Sequence, residues 1–167
     1  MPDVAVKGVK VRLTKNDFLA SGGQGDLYVK GDRVFKIYHP DSDLIPESKI
    51  AELQVLKTPE IVLPEDPIFL RDGQYAGFTL PYVPDAEALL RLFTNSFRRA
   101  NNVQDQDVVD LVERMIKVIA FVHSKSCLQI DGNEWNYLVR GMDPFFIDVD
   151  SYQTPSHPAT VIKTGRS

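Results

Sequence analysis

Apolar and polar side chains alternate over residues 9–14, where Lys10, Arg12 and Thr14 separate Val9, Val11 and Leu13. A period of two predicts a half-buried β-strand. Two further β-prone runs, Leu27-Tyr28-Val29-Lys30 and Arg33-Val34-Phe35-Lys36-Ile37-Tyr38, flank Gly31-Asp32. That pairing predicts a hairpin. Pro46-Glu47-Ser48 opens a helical stretch with Ile50, Leu53 and Leu56 on its apolar face, and Pro59 ends it. Strands are expected near residues 67–70 and 75–80, joined by a turn at Asp72-Gly73.

Pro81-Tyr82-Val83-Pro84 reads as an extended connector, because proline disfavours helix at itself and at the residue before it. Beyond it the pattern becomes helical. Residues 85–93 are expected as a short helix and 106–123 as a long one. In the long helix Val108, Leu111, Val112, Met115, Ile119 and Val122 fall at offsets 0, 3, 4, 7, 11 and 14, one apolar stripe. Two short β-like runs follow, Tyr137-Leu138-Val139 and Phe145-Phe146-Ile147. Residues 151–167 are polar with two prolines and are expected as loop.

Strands come first and helices later, which predicts an α+β fold. The 167 residues suit about one domain on the usual scale of roughly 100–200 residues. Hydrophobic residues make up 43% and charged residues 25%, which excludes a largely disordered chain or a coiled-coil rod. The formal charge of −4, without a dense basic run, argues against non-specific nucleic-acid binding; Arg98-Arg99 reads as a solvated face. The single cysteine, Cys127, allows no disulfide within the chain and reads as a small core residue. Met1-Pro2-Asp3 does not resemble a secretory leader, and no apolar run reaches the ~20 residues of a membrane span. A cytoplasmic protein without membrane partners is expected.

Several residues could carry chemistry. Gly22, Gly23 and Gly25 between two strands could bring backbone N–H groups close to an anion, or could simply form a tight turn. Lys36 sits in an apolar strand, where alternation could simply point it to solvent; it becomes a candidate only with an anion and a carboxylate nearby. Glu52 and Glu47 on the following helix are both candidate partners for it. Asp131-Gly132-Asn133-Glu134-Trp135-Asn136 and Ile147-Asp148-Val149-Asp150 offer oxygen donors of the kind Mg²⁺ prefers, and an Asp that could align a hydroxyl. Taken singly, each is common loop chemistry.

In order along the chain, these elements resemble a protein kinase from Phe18 to about Tyr152, with the flavour of bacterial kinase-like proteins. The resemblance implies a two-lobe fold with a β-rich N-lobe over 1–81, a hinge at 82–84, a reduced helical C-lobe over 85–150, and an activation-segment-like tail over 151–167. It implies that Gly22, Gly23 and Gly25 cover the phosphates of ATP, that Lys36 pairs with them, and that Glu52 holds Lys36. Leu80 takes the gatekeeper place, with Tyr82 and Val83 at the adenine. Asp131 becomes the catalytic Asp, with Asn136 and Asp148 as Mg²⁺ ligands and Asp150 as a further one.

The chain departs from the family pattern. Ala20 replaces the first loop glycine, Gln129-Ile130 stands where His-Arg is usual, and Val149-Asp150 follows Asp148 instead of Phe-Gly. Nineteen residues lie beyond Asp148, short for a kinase lower lobe. The implied function is an ATP- and Mg²⁺-dependent phosphotransferase, a minimal protein Ser/Thr kinase. Its partner would be a protein substrate or a protein completing the C-lobe. A pseudokinase or nucleotide-binding interaction module is the alternative, and a small-molecule kinase a further one. Thr154, Ser156, Thr160, Thr164 and Ser167 are candidate autophosphorylation positions in the tail.

Overall fold

The β-prone runs in the first half of the chain are realised as a seven-stranded antiparallel sheet. In this computed structural model, residues 2–130, 132 and 136–158 are described. The strands are β1 (Asp3–Val6), β2 (Val9–Arg12), β3 (Phe18–Ser21), β4 (Gly25–Lys30), β5 (Arg33–Tyr38), β6 (Pro67–Leu70) and β7 (Tyr75–Pro81). They lie in the order β2-β1-β6-β7-β5-β4-β3. The glycine-containing turns fall where sequence places them. Gly31, between β4 and β5, has φ 63° and Gly73, between β6 and β7, has φ 85°; glycine accepts this left-handed backbone without steric cost.

Two strands add to the sequence reading. β1 buries Val4 and Val6 and pairs with both β2 and β6. β3 is exposed throughout, so it carries no apolar alternation. On one face of the sheet Val4, Val6, Leu13, Tyr28, Phe35 and Ile68 form a core cluster. In β5, Phe35 and its neighbour Lys36 are both buried, at 0% and 8% exposure. Successive side chains point to opposite faces of a strand, so both faces of the sheet are covered at this point.

Helix α1 (Glu47–Leu53) follows β5 and tightens into a 3-10 turn over Gln54–Leu56 before Pro59. The chain divides into two units: Met1–Ala51 with Leu63–Pro84, and Glu52–Val62 with Asp85–Ser167.

In the second unit, residues 85–93 are not the expected helix. Glu87–Ala88 is a short strand, β8, paired with Leu138 and Val139, and Leu89–Phe93 is a 3-10 turn burying Leu89 and Leu92. The three-residue spacing of those leucines matches 3-10 geometry, in which i and i+3 eclipse. Helix α2 (Asn95–Ala100) comes next, with the Thr94 hydroxyl accepting the Phe97 N–H at 3.4 Å as its cap. Helix α3 (Asp105–Ser124) begins with a capping box between Gln104 and Asp107. It buries Leu111, Val118 and Val122, while Val112, expected in the buried stripe, is 46% exposed.

Strands β9 (Tyr137–Arg140) and β10 (Asp143–Phe146) form a hairpin that joins β8 in a second, three-stranded sheet. The second β-like run therefore starts at Asp143 and ends one residue before Ile147. Phe146 is fully buried and bridges in parallel to Ile61, with its N–H on the Glu60 carbonyl at 2.7 Å. Arg114 of α3 pairs with Glu60 and with Asp143 of β10. The fold class is α+β. No helix among the described residues is long and apolar enough to cross a membrane.

Candidate functional site

The candidate residues of the first unit start at the β3–β4 turn. The Gly22 N–H donates to the Gly25 carbonyl at 2.9 Å and closes it. A Cβ on Gly25 would lie 2.3 Å from the Ile37 carbonyl oxygen, so the β4–β5 pairing itself requires glycine there. A Cβ on Gly23 would meet nothing within 4 Å, and one on Gly22 only the Gly25 oxygen at 3.8 Å. Packing thus leaves the backbone at Gly22 and Gly23 open to approach.

The turn is stapled from beneath. Ser21 Oγ donates to Asp26 Oδ1 at 2.6 Å, and His39 Nε2 lies 3.1 Å from the same oxygen. The His39 N–H donates to the Gln24 carbonyl at 2.8 Å. The Ser21 hydroxyl, followed by His39, holds the Asp26 carboxyl below its ordinary value.

Lys36 does not point to solvent. Its Nζ lies 5.0 Å from the Tyr38 ring centroid and 5.7 Å from that of Phe78. Ring faces carry negative charge, so this setting offsets part of the cost of burying an ammonium group. A residue that sequence reasoning missed makes the arrangement fit. Gly77 of β7 sits opposite Ile37, and a Cβ on it would lie 1.9 Å from the Lys36 carbonyl oxygen. A lone glycine in a strand pattern is the signal for such close backbone approach. Leu80, buried near the end of β7, pairs with Val34. Tyr82 and Val83 are partly buried, and the Tyr82 N–H is already given to the Asp32 carbonyl at 2.9 Å.

The candidate residues of the second unit gather at the open end of the β9–β10 hairpin. The last ladder pair is Tyr137–Phe146, whose rings meet edge to face at 4.9 Å. One step further the Ile147 N–H donates to the Asn136 carbonyl at 3.0 Å. That bond sets Asn136 beside the residue preceding Asp148. Asn136 is 7% exposed. Asp148 has φ 58° and ψ 34° and is exposed. Asp and Asn enter this left-handed region more readily than other non-glycine residues. Its carbonyl accepts both the Ser151 N–H, at 3.1 Å, and the Ser151 hydroxyl, at 2.7 Å. A 3-10 turn over Val149–Ser151 then buries Asp150, 4% exposed. Asp131 lies outside the described residues. Gln129, two positions earlier in the sequence, accepts the Tyr137 hydroxyl at 2.9 Å.

Residues 151–158 are not plain loop. Leu128 and Gln153 exchange backbone bonds at 2.9 and 2.8 Å, and Thr154 and His157 close a turn. That turn seats Glu52. The Ser156 N–H donates to Glu52 Oε1 at 2.9 Å, and His157 Nδ1 lies 2.6 Å from Oε2. The Ser156 N–H, more than His157, holds the Glu52 carboxyl below its ordinary value. Tyr152 is buried to 1% exposure, and its hydroxyl has no hydrogen-bond partner among the described residues. Burial first, then the nearby Tyr137 and Asp148, pushes that hydroxyl far above its ordinary value. Neither His157 nor Tyr152 stood out in the sequence: His157 meets Glu52, 105 positions away, and the burial of Tyr152 is set by the folded chain.

Asn136, Asp148 and Asp150 are oxygen donors, the chemistry a hard cation such as Mg²⁺ takes. Among the described residues no group of three His, Cys, Asp or Glu side chains has the spacing to hold a metal ion. No family model matches the chain, and no curated protein matches it.

Proposed function

We propose that the chain is a kinase-like phosphotransferase that uses ATP and Mg²⁺ to phosphorylate a hydroxyl of a protein substrate. In this reading the seven-stranded unit is the N-lobe and the second unit a reduced C-lobe. The observation that carries it is the Asn136–Ile147 backbone bond, which sets Asn136 and the left-handed Asp148 at one end of a hairpin. Oxygen donors held by backbone geometry are pre-organised for a cation that binds phosphates.

Each residue then has a physical role. The open backbone at Gly23 lets its N–H approach phosphate oxygens, because Gly22 has already given its N–H to the Gly25 carbonyl. Lys36, buried beside two rings, presents a fixed positive charge to the phosphates. Leu80 bounds the adenine pocket, and Val83 supplies the backbone contact, because Tyr82 has already given its N–H to Asp32. Asn136, Asp148 and Asp150 would hold Mg²⁺, which would supply charge neutralisation on the phosphates. Asp131 aligns the attacking hydroxyl and accepts its proton.

A second reading is a nucleotide-binding module without transfer. It is favoured by the engagement of both Glu52 oxygens with Ser156 and His157. Radiolabel transfer from ATP to generic protein substrates separates the two readings. Transfer lost in Lys36→Met and Asp148→Asn supports the phosphotransferase. Nucleotide binding without transfer supports the module.

A further inference from the structure

The turn end of the β9–β10 hairpin borders a cavity of about 580 Å³, lined wholly by residues of the second unit. That volume lies within the range of small-molecule sites, roughly 300–1,000 Å³. The hairpin strands are four residues long, so the cavity lies ~14 Å along them from the Asn136 end.

Its chemistry is asymmetric. Phe97, Val139 and Met142 give it an apolar wall, and Asp85, Glu87 and Asp107 give it three carboxylates against one guanidinium, that of Arg91. Arg91 is already engaged: it pairs with Glu87 at 2.5 Å and lies over the Phe97 ring at 5.8 Å. Asp107 accepts the Gln104 N–H at 2.8 Å as part of the α3 cap. The lining therefore keeps an excess of two negative charges beside an apolar wall. The Arg91–Phe97 contact is itself an example of a planar cation resting on that wall.

We propose that this cavity binds a small cationic ligand: an amidine, guanidine or primary amine on a short apolar body. The cation sits among Asp85, Glu87 and Asp107, and the body packs on Val139, Met142 and the free edge of Phe97. The site is independent of the nucleotide-binding reading.

The test is an amide-resolved NMR titration of the full chain with benzamidine, using neutral, near-isosteric benzamide as control. Benzamidine should shift the amides of Phe97, Gly141 and Met142 saturably, and benzamide should bind at least about tenfold more weakly, as expected when a charged hydrogen bond is lost. The double variant Asp85→Asn/Glu87→Gln should lose a similar factor; Asn tolerates the left-handed backbone of position 85, φ 59°. If that variant does not fold, Ala100→Phe decides instead, because it fills the cavity from α2 without changing charge. Equal binding of benzamide, shifts elsewhere on the protein, or undiminished binding by a folded variant would overturn the proposal.

Discussion

The backbone N–H of Ile147 reaches the carbonyl of Asn136 at 3.0 Å, one step past the last pair of the β9–β10 ladder. A ladder extended by one bond fixes where the chain turns, and it turns at Asp148 into the left-handed region. Two residues twelve positions apart thus come to one hairpin end through backbone geometry. The buried Phe146 and its contact with Tyr137 hold that end closed.

Glycines around the candidate site should separate into two classes. Gly25→Ala and Gly77→Ala push a Cβ into backbone at 2.3 and 1.9 Å, and the strands must move. Each should cost about 1–3 kcal/mol or more in urea denaturation, as overpacking does. Gly23→Ala meets open space and should leave stability unchanged or raised by up to about 1 kcal/mol. Its effect should appear in nucleotide affinity instead.

Tyr152 buries a hydroxyl that finds no partner among the described residues. Tyr152→Phe removes the group at the same shape. Stability should be unchanged or up to about 1 kcal/mol higher. A clear loss in denaturant melts would mean that the hydroxyl is bonded in solution.

The Glu52 seat should be sensitive to acid. Its carboxyl is held below the ordinary value by the Ser156 N–H and His157. A depressed carboxylate stabilises the fold above its unfolded value, and that contribution is lost as pH falls through the lowered one. The hydrogen-exchange protection of the Ser156 amide, taken relative to its intrinsic rate at each pH, should fall across that window in the wild type. In Glu52→Gln that protection should already be low at neutral pH and show no step.

Much of the fold was legible because its signals are local. Gly31-Asp32 and Asp72-Gly73 mark the turns that form, and the run 33–38 is β5. Helix α3 was legible as a helix, but its inner face was not. Val109, Val112 and Ile116 stand exposed at 48%, 46% and 59%, while Val118 is buried. A helix with apolar residues on two sides does not say which side packs. Residues 85–93 misled because Glu87 and Ala88 are claimed by β9, a partner some 50 positions away. Of the candidate site, residue types such as Asn136, Asp148 and Lys36 could be read directly. Gly77 and His157 could not, since each matters through a partner that only the folded chain brings near, and Tyr152 could not, since its burial is a property of the folded chain.

The most direct test of the proposed site is the melting temperature of the full chain with ATP, with and without Mg²⁺. Nucleotide at 100 times Kd should add about 2.7 kcal/mol, or about 5–10 °C for a chain of this size. The Mg²⁺-dependent part should vanish in Asp148→Asn, and the whole shift in Lys36→Met. A wild-type protein that does not shift under either condition, or variants that shift as the wild type does, would contradict the assignment.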